Sequence, residues 1–286
     1  MRFKDWYTSF FFGAATLFIV GCEKEKDKTP IELHVFDDIE TFPLEKFTEG
    51  NEWNSTGWGV YEDIIFEGTS IQWSMDQINY QDEPVLKCDI TGGDAYNNVF
   101  FTNTVAIRWE QLDWYFEDAQ QFEYSLEFYP SSEINCDNAD ESLIEGLEFT
   151  FQHVKVPISW GWGLQWSKTN TWSYWDDQKS SDKVIGWKNI QNVKECLCWD
   201  KWNTIKIIGI QDGNDVIYKS IQINENKISV DIRLPSVTIP EDWAENFIQV
   251  GFQINGNKAI LKTHQHGVDP SSVLLKNLDL NVYALQ

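Results

Sequence analysis

Basic residues are scarce in this 286-residue chain. Twenty-two lysines and arginines face 45 aspartates and glutamates, a formal net charge of −23. The basic residues form no run, which argues against nucleic acid, whose phosphates call for a concentrated positive footprint. The same balance disfavours adsorption along an anionic bilayer and leaves neutral ligands and divalent cations compatible. Long apolar runs are also lacking. The one at residues 10–20 is too short to span a bilayer as a stable helix. There is no long amphipathic helix and no repeat period. No Pro- or Ser-rich linker divides the chain after residue 30, so residues 32–286 read as a single domain. Histidine is thinly spread. His34 and His153 stand alone, and no Ser–His–Asp or Cys–His arrangement or glycine-rich phosphate loop assembles from local motifs. His264-Gln-His266 with Asp269 has one-face spacing suited to zinc or copper, but its Gly- and Pro-bounded surroundings read as a loop.

Aromatic residues are plentiful, 15% of the chain with fifteen tryptophans. Residues 147–176 hold Trp160, Trp162, Trp166, Trp172 and Trp175. Leu147, Phe149 and Phe151 interleave with Glu148, Thr150 and Gln152; Trp160, Trp162, Leu164 and Trp166 interleave with Gly161, Gly163 and Gln165. A period of two marks half-buried strands, so the two segments predict a β-hairpin joined through Pro157. Further strands are predicted at 32–39, 64–66, 70–74, 85–89, 99–101, 122–129, 202–210, 216–223, 227–232, 247–254 and 273–282, with only short helical pieces at 109–114 and 241–246. Many short strands separated by turn residues predict an all-β sandwich of two antiparallel sheets.

The start of the chain predicts export. Arg2 and Lys4 precede the apolar run, which ends in Ile19-Val20-Gly21-Cys22. This resembles the lipobox of bacterial lipoproteins. The resemblance implies a signal peptide over residues 1–21, lipidation of Cys22, a flexible tether over 22–31 and a lipid-anchored place in the bacterial cell envelope, with the outer membrane as the expected site, facing periplasm or cell surface. An even set of four further cysteines, Cys88, Cys136, Cys196 and Cys198, suits disulfides in an exported chain. Cys196 and Cys198 are too close to bridge without strain, so each is expected to reach Cys88 or Cys136; a metal site at Cys196 and Cys198, or free thiols, are the alternatives.

Phe36-Asp37-Asp38-Ile39-Glu40 and the terminal VLLKNLDL stretch resemble the opening and closing strands of jelly-roll carbohydrate-binding modules. That resemblance implies a structural calcium ion held by Asp37, Asp38, Glu40 and Asp279, whose carboxylates are the hard oxygens calcium takes. An aromatic usually stands in the family where Ile39 does, and an acidic residue where Lys276 does. The LEFTF and WGLQW strands resemble concanavalin A-like lectins and glucanases, also jelly-roll sandwiches. In those glucanases the catalytic pair sits on one strand as E-x-D-x-E. Here Glu123-Tyr-Ser125-Leu-Glu127 lacks the central aspartate, and four strand positions separate the two carboxylates by roughly 13 Å along the backbone. The bland reading of the pair is two solvated carboxylates on an outer face.

A sugar ring stacks its C–H face on an indole while amides and carboxylates read its hydroxyls. Trp172, Tyr174, Trp175, Trp187 and Trp199 lie in turn-like segments and are the expected platform, with Gln165, Gln152 and Glu148 as hydroxyl partners; Trp160, Trp162 and Trp166 are expected in the core. Gln249, Gln253 and Asn255 are expected to share that polar surface. The expected role is binding of a polysaccharide or oligosaccharide without catalysis. The alternatives are a glycoside hydrolase or polysaccharide lyase using Glu123 with Glu127 or Glu148, and a structural or adhesive envelope protein.

Overall fold

A computed structural model describes residues 32–34, 57–63, 71–92, 98–106, 120–131, 144–176, 186–191, 193, 195–239, 246–256 and 271–284. All regular structure among them is strand: β1 (Glu32–His34), β2 (Gly57–Asp63), β3 (Ile71–Tyr80), β4 (Glu83–Gly92), β5 (Asn98–Ala106), β6 (Gln120–Pro130), β7 (Ile144–Lys155), β8 (Ile158–Ser167), β9 (Thr171–Asp176), β10 (Gly186–Asn189), β11 (Asn203–Asp212), β12 (Asp215–Ile223), β13 (Asn226–Pro235), β14 (Val237–Thr238), β15 (Phe247–Gly256) and β16 (Ser271–Ala284). The first sheet runs β13-β12-β11-β6-β16-β4-β3, with β1 on β16; the second runs β10-β9-β8-β7-β15-β5-β2, with β14 on β8. Every pairing is antiparallel. The chain passes repeatedly between the sheets, from β4 to β5, back to β6 and on to β7, which is the wrapping of a jelly-roll β-sandwich.

Alternation explains how the sheets face one another. Phe122, Tyr124, Leu126 and Phe128 of β6 are buried, as are Leu147, Phe149 and Phe151 of β7 and Trp160, Trp162 and Trp166 of β8. They meet between the sheets: Trp162 stacks on Phe151 with centroids 4.6 Å apart, and Phe128 tilts against Phe149 at 4.9 Å. Burying each such side chain contributes roughly 1.5–3 kcal/mol. Two of the indole N–H groups in that layer reach backbone acceptors. Trp162 Nε1 donates to the Ile217 carbonyl (3.1 Å) and Trp160 Nε1 to that of Gly213 (3.0 Å), both on the β11–β12 hairpin of the first sheet. The predicted hairpin through Pro157 is present, with Phe151 opposite Trp162 and Glu148 opposite Gln165.

Four strands were not expected, among them the two-residue β14. β2 lies in what reads as a polar stretch, and β9 and β10 lie in what read as turn-like segments. The predicted strand at 64–66 and the helical pieces fall outside the described residues, Asn246 apart, as do residues 35–39 of the predicted first strand.

Two of the four candidate disulfide cysteines are corrected. Cys196 is disulfide-bonded, but Cys88 and Cys198 are free thiols, Cys88 buried in the core and Cys198 exposed. Cys88 faces the intersheet layer on β4, where its neighbours are packed side chains. Cys136, like Cys22, lies outside the described residues. Burial, then the charge of Asp89, pushes the Cys88 thiol well above its ordinary value, so it stays protonated and inert. Native protein treated with a maleimide should label Cys198 within minutes and Cys88 only after denaturation. Peptide mapping of the modified sites checks this, and equal labelling of both in the native state would refute it.

Candidate ligand-binding face of the second sheet

The side of the second sheet turned away from the core is built by the residues that alternate with the packed ones. On β7 these are Glu148, Thr150 and Gln152, and on β8 Gly161, Gly163 and Gln165. On β15 they are Gln249, Gly251, Gln253 and Asn255, registered with Gln152, Thr150, Glu148 and Gly146. Registration carries the face outward on both sides. Ser173 and Trp175 of β9 continue it to Asn189 and Trp187 of β10; Asn98, Phe100 and Thr102 of β5 continue it to Gly59 and Tyr61 of β2. Seven strands at their usual spacing make a face roughly 29 Å across, on which Glu148, Ser173, Gln249, Gln253 and Asn255 are buried.

Its polar groups form short connected sets. Glu148 Oε1 accepts from Gln165 Nε2 (2.8 Å) and from Asn255 Nδ2 (2.9 Å), while Gln253 Nε2 donates to Asn255 Oδ1 (3.0 Å). Gln152 Nε2 donates to Gln249 Oε1 (2.8 Å), and Ser173 Oγ to Asn189 Oδ1 (2.9 Å). These bonds fix rotamers that would otherwise be free, so the amides are aimed before any ligand arrives. Beyond Gln152, Val154 and Phe247 join Ile239 in a small apolar cluster that closes this end of the face.

The aromatic element is a pair. Trp175 and Trp187 sit opposite one another on β9 and β10 with centroids 5.2 Å apart and planes at 68°. Both are half-buried. Gly163 lies beneath them. A Cβ there would come within 3.2 Å of Trp175 Cβ and 3.3 Å of Trp187 Cη2, so the bare backbone lets both rings settle onto the sheet. From the core side, Tyr218 Oη accepts from the Gly163 N–H (2.8 Å) and donates to its carbonyl (3.3 Å). Gly163 is thus held from below by the first sheet and covered from above by two indoles. Among the described residues nothing lies within 4 Å of where a Gly161 side chain would start, beside the pair.

Of the predicted ligand-binding set, Trp175, Trp187, Gln165, Gln152 and Glu148 come together on this face. Trp172 and Tyr174 do not. They take the alternate positions of β9 and turn inward. Trp172 is fully buried, stacked on Phe149 at 6.4 Å, with Nε1 donating to the Glu195 carbonyl (2.8 Å). Tyr174 packs against Tyr218 at 5.8 Å, and burial, with the Asp176 charge second, raises its hydroxyl pKa. Trp199 is exposed on the connection leading to β11. Phe100, Tyr61, Asn98 and Thr102 were not anticipated. Phe100 lies across Gly251, whose missing side chain makes the room. The Gly57-Trp58-Gly59-Val60-Tyr61 alternation was the available signal.

The remaining candidates lie elsewhere. Glu123 and Glu127 point outward from β6 of the first sheet, on the opposite side of the sandwich. Lys206 Nζ is 2.8 Å from Glu123, and Glu127 accepts from Asn277 (2.8 Å) with Lys276 Nζ at 3.8 Å. Asp279 is on the same sheet and accepts from Asn281 Nδ2 (2.8 Å); Asp37, Asp38, Glu40, His264, His266 and Asp269 are outside the described residues. Among the described residues no three His, Cys, Asp or Glu side chains gather as metal ligands would.

No protein-family model matches the chain, and no curated protein sequence does. Solved structures with similar sheets include an endo-β-1,4-glucuronan lyase from the fungus Trichoderma reesei, at 10% identity over 82% of this chain and 92% of that one, TM-score 0.41. An alginate lyase bound to an alginate trisaccharide matches at 10% identity over 71% of this chain and 82% of that one, TM-score 0.40. The lectin UEA-II complexed with galactose matches at 11% identity over 80% and 98%, TM-score 0.37. Likeness at this level bears on neither ligand nor reaction.

Proposed function

We propose that the outer face of the second sheet binds a glycan without catalysing its cleavage, in a lipoprotein held at the bacterial cell envelope through Cys22. The observation that carries this reading is the Trp175–Trp187 pair seated on Gly163 next to the pre-bonded Gln165–Glu148–Asn255 set. An indole platform beside fixed amides is what a sugar ring needs, an apolar wall for its C–H face and oriented partners for its hydroxyls. Hydrolysis with retention needs a second carboxyl about 5 Å from the first. Among the carboxyls whose side chains are described, Glu148 is the one on this face, with Oε1 already accepting two amide donors. Glu123 and Glu127 point away from it.

Titration of the domain with a panel of polysaccharides, read by tryptophan emission, tests the reading. One glycan class should give a saturable shift, and Trp175→Ala should weaken it at least tenfold, about 1.4 kcal/mol. Trp199→Ala, off this face, should leave affinity unchanged. Equal affinity in wild type and Trp175→Ala, or no saturable response to any polymer, would overturn the proposal.

A further inference from the structure

The strands that carry the tryptophan pair also carry a cleft at their other end. A hollow of about 560 Å³ opens where β8 turns into β9, lined by Thr169, Asn170, Thr171, Asn189 and Gln191, with Ile190 and Val193 as its apolar part. It belongs to the same face. Thr171 is registered with Ser167 and Ser173 with Gln165, so Ser167 and Thr171 share the outward side with Gln165 and Ser173. The Ser173–Asn189 bond joins the cleft to the row that holds Trp175 and Trp187. Thr171 lies four residues from Trp175, about 13 Å along the strand.

The cleft has a distinct polarity. The hydroxyls of Ser167, Thr169 and Thr171 form a closed triangle, with O···O separations of 2.8, 2.6 and 3.1 Å. A hydroxyl has one donor and two acceptor lone pairs. Ser167 donates to Thr171, and with Thr171 donating to Thr169 and Thr169 to Ser167 the ring closes head to tail, each oxygen keeping one lone pair. The charge on the row above is Glu148, an acceptor when ionised, and the whole chain stands at −23. The amides of Asn170, Asn189 and Gln191 add donors as well as acceptors to the lining, and sugar hydroxyls, which both give and take hydrogen bonds, match such a mixed surface. Carboxylate or sulfate groups bring more acceptors and a like charge, which raises the cost of contact and slows approach.

We infer that the site takes an uncharged glycan chain, lying along β8–β10 from the tryptophan pair into the Thr169–Thr171 cleft, and discriminates against uronate and sulfated polymers. This rests on the glycan-binding reading above and names its ligand class.

Calorimetric titration of the domain with neutral polymers (mixed-linkage glucan, galactomannan, xylan) and anionic ones (alginate, polygalacturonate, carrageenan) tests it. At least one neutral polymer should bind with a Kd unchanged between low and high salt, because an uncharged ligand offers nothing to screen. Thr171→Val keeps the shape of the side chain but opens the hydroxyl ring, and it should weaken that polymer about fivefold. Thr169→Ala, at an exposed turn position, should act in the same direction should Thr171→Val fail to fold. Binding of an anionic polymer that is lost in Trp175→Ala would overturn the uncharged class while leaving the platform standing. Full affinity in both threonine variants would remove the cleft from the site. Loss of no binding in Trp175→Ala, or silence from every polymer, would sink the glycan reading itself.

Discussion

Gly209→Ala is expected to destabilise the fold by about 3 kcal/mol, although it adds a single methyl group. Gly209 lies on β11 of the first sheet, facing the core, and the indole of Trp162 from the second sheet fills the space above it. A Cβ would sit 2.5 Å from Trp162 Nε1, 2.7 Å from Cε2 and 2.9 Å from Cδ1. The indole has nowhere to retreat. It is stacked on Phe151 at 4.6 Å, lies against Phe122 at 5.1 Å, and donates to the Ile217 carbonyl. Moving it overpacks the layer, at roughly 1–3 kcal/mol, and strips a buried N–H of its acceptor, at roughly another 1–3 kcal/mol. The pairing of β11 with β12 shifts register between Ile208 and Gly209, so the backbone there has little slack to absorb the change. For a domain of this size the melting temperature should fall by roughly 6–12 °C. Gly161→Ala is the control, since no atom of the described residues lies within 4 Å of the added one. It should stay within about 0.5 kcal/mol of wild type. A Gly209→Ala protein melting with wild type would show that the intersheet layer is looser than its geometry implies.

The same intersheet packing explains what could be read from the sequence. Wherever one face of a strand is core, the period of two announces it, so the β7–β8 hairpin and the inward Trp160, Trp162 and Trp166 were legible in the chain. So was the outward set of Gln152, Gln165, Gln249, Gln253 and Asn255, because an alternating strand gives its second face away with its first. β9 was not legible in this way. Thr171-Trp-Ser-Tyr-Trp-Asp176 carries aromatic rings on both faces, and the Ser, Thr, Asn and Asp around it are also turn residues. Read as a loop, it promised that Trp172, Tyr174 and Trp175 would be exposed together. As a strand it divides them, Trp172 and Tyr174 inward and Trp175 outward.

Neighbour relations were the other hidden quantity. Nothing local in the sequence says that β15 lies between β7 and β5, yet that placement brings Asn255 to Glu148 and Gln249 to Gln152. The pairing of Trp175 with Trp187 likewise depends on β10 returning beside β9. Cysteine pairing is of the same kind. Even number and exported context favoured disulfides, but the direction of the Cys88 side chain into the core depends on which way β4 faces.

Acid should destabilise this domain through a histidine. His153 follows Gln152 on β7 and therefore points the other way, into the layer between the sheets. It is fully buried, with Nδ1 2.8 Å from Gln211 Oε1 of β11 and its ring stacked on Trp160 at 5.4 Å. Burial lowers its pKa from 6.5 to about 4; the Gln211 bond opposes the shift and the charge of Lys155 adds to it. In the unfolded chain the imidazole takes its proton near pH 6.5, whereas in the native protein it does so only near pH 4. Between those values the unfolded state binds more protons, so stability falls as pH falls. The contribution is fully present above pH 6.5, is lost progressively toward pH 4, and totals about 3 kcal/mol. Urea unfolding at a series of pH values should show this loss. The His153→Gln variant, neutral throughout, should lose about 3 kcal/mol less over the same interval, although it starts from a lower stability. NMR titration of the ring reads the cause directly: a midpoint near 6.5 in the folded protein would remove the histidine from the acid response.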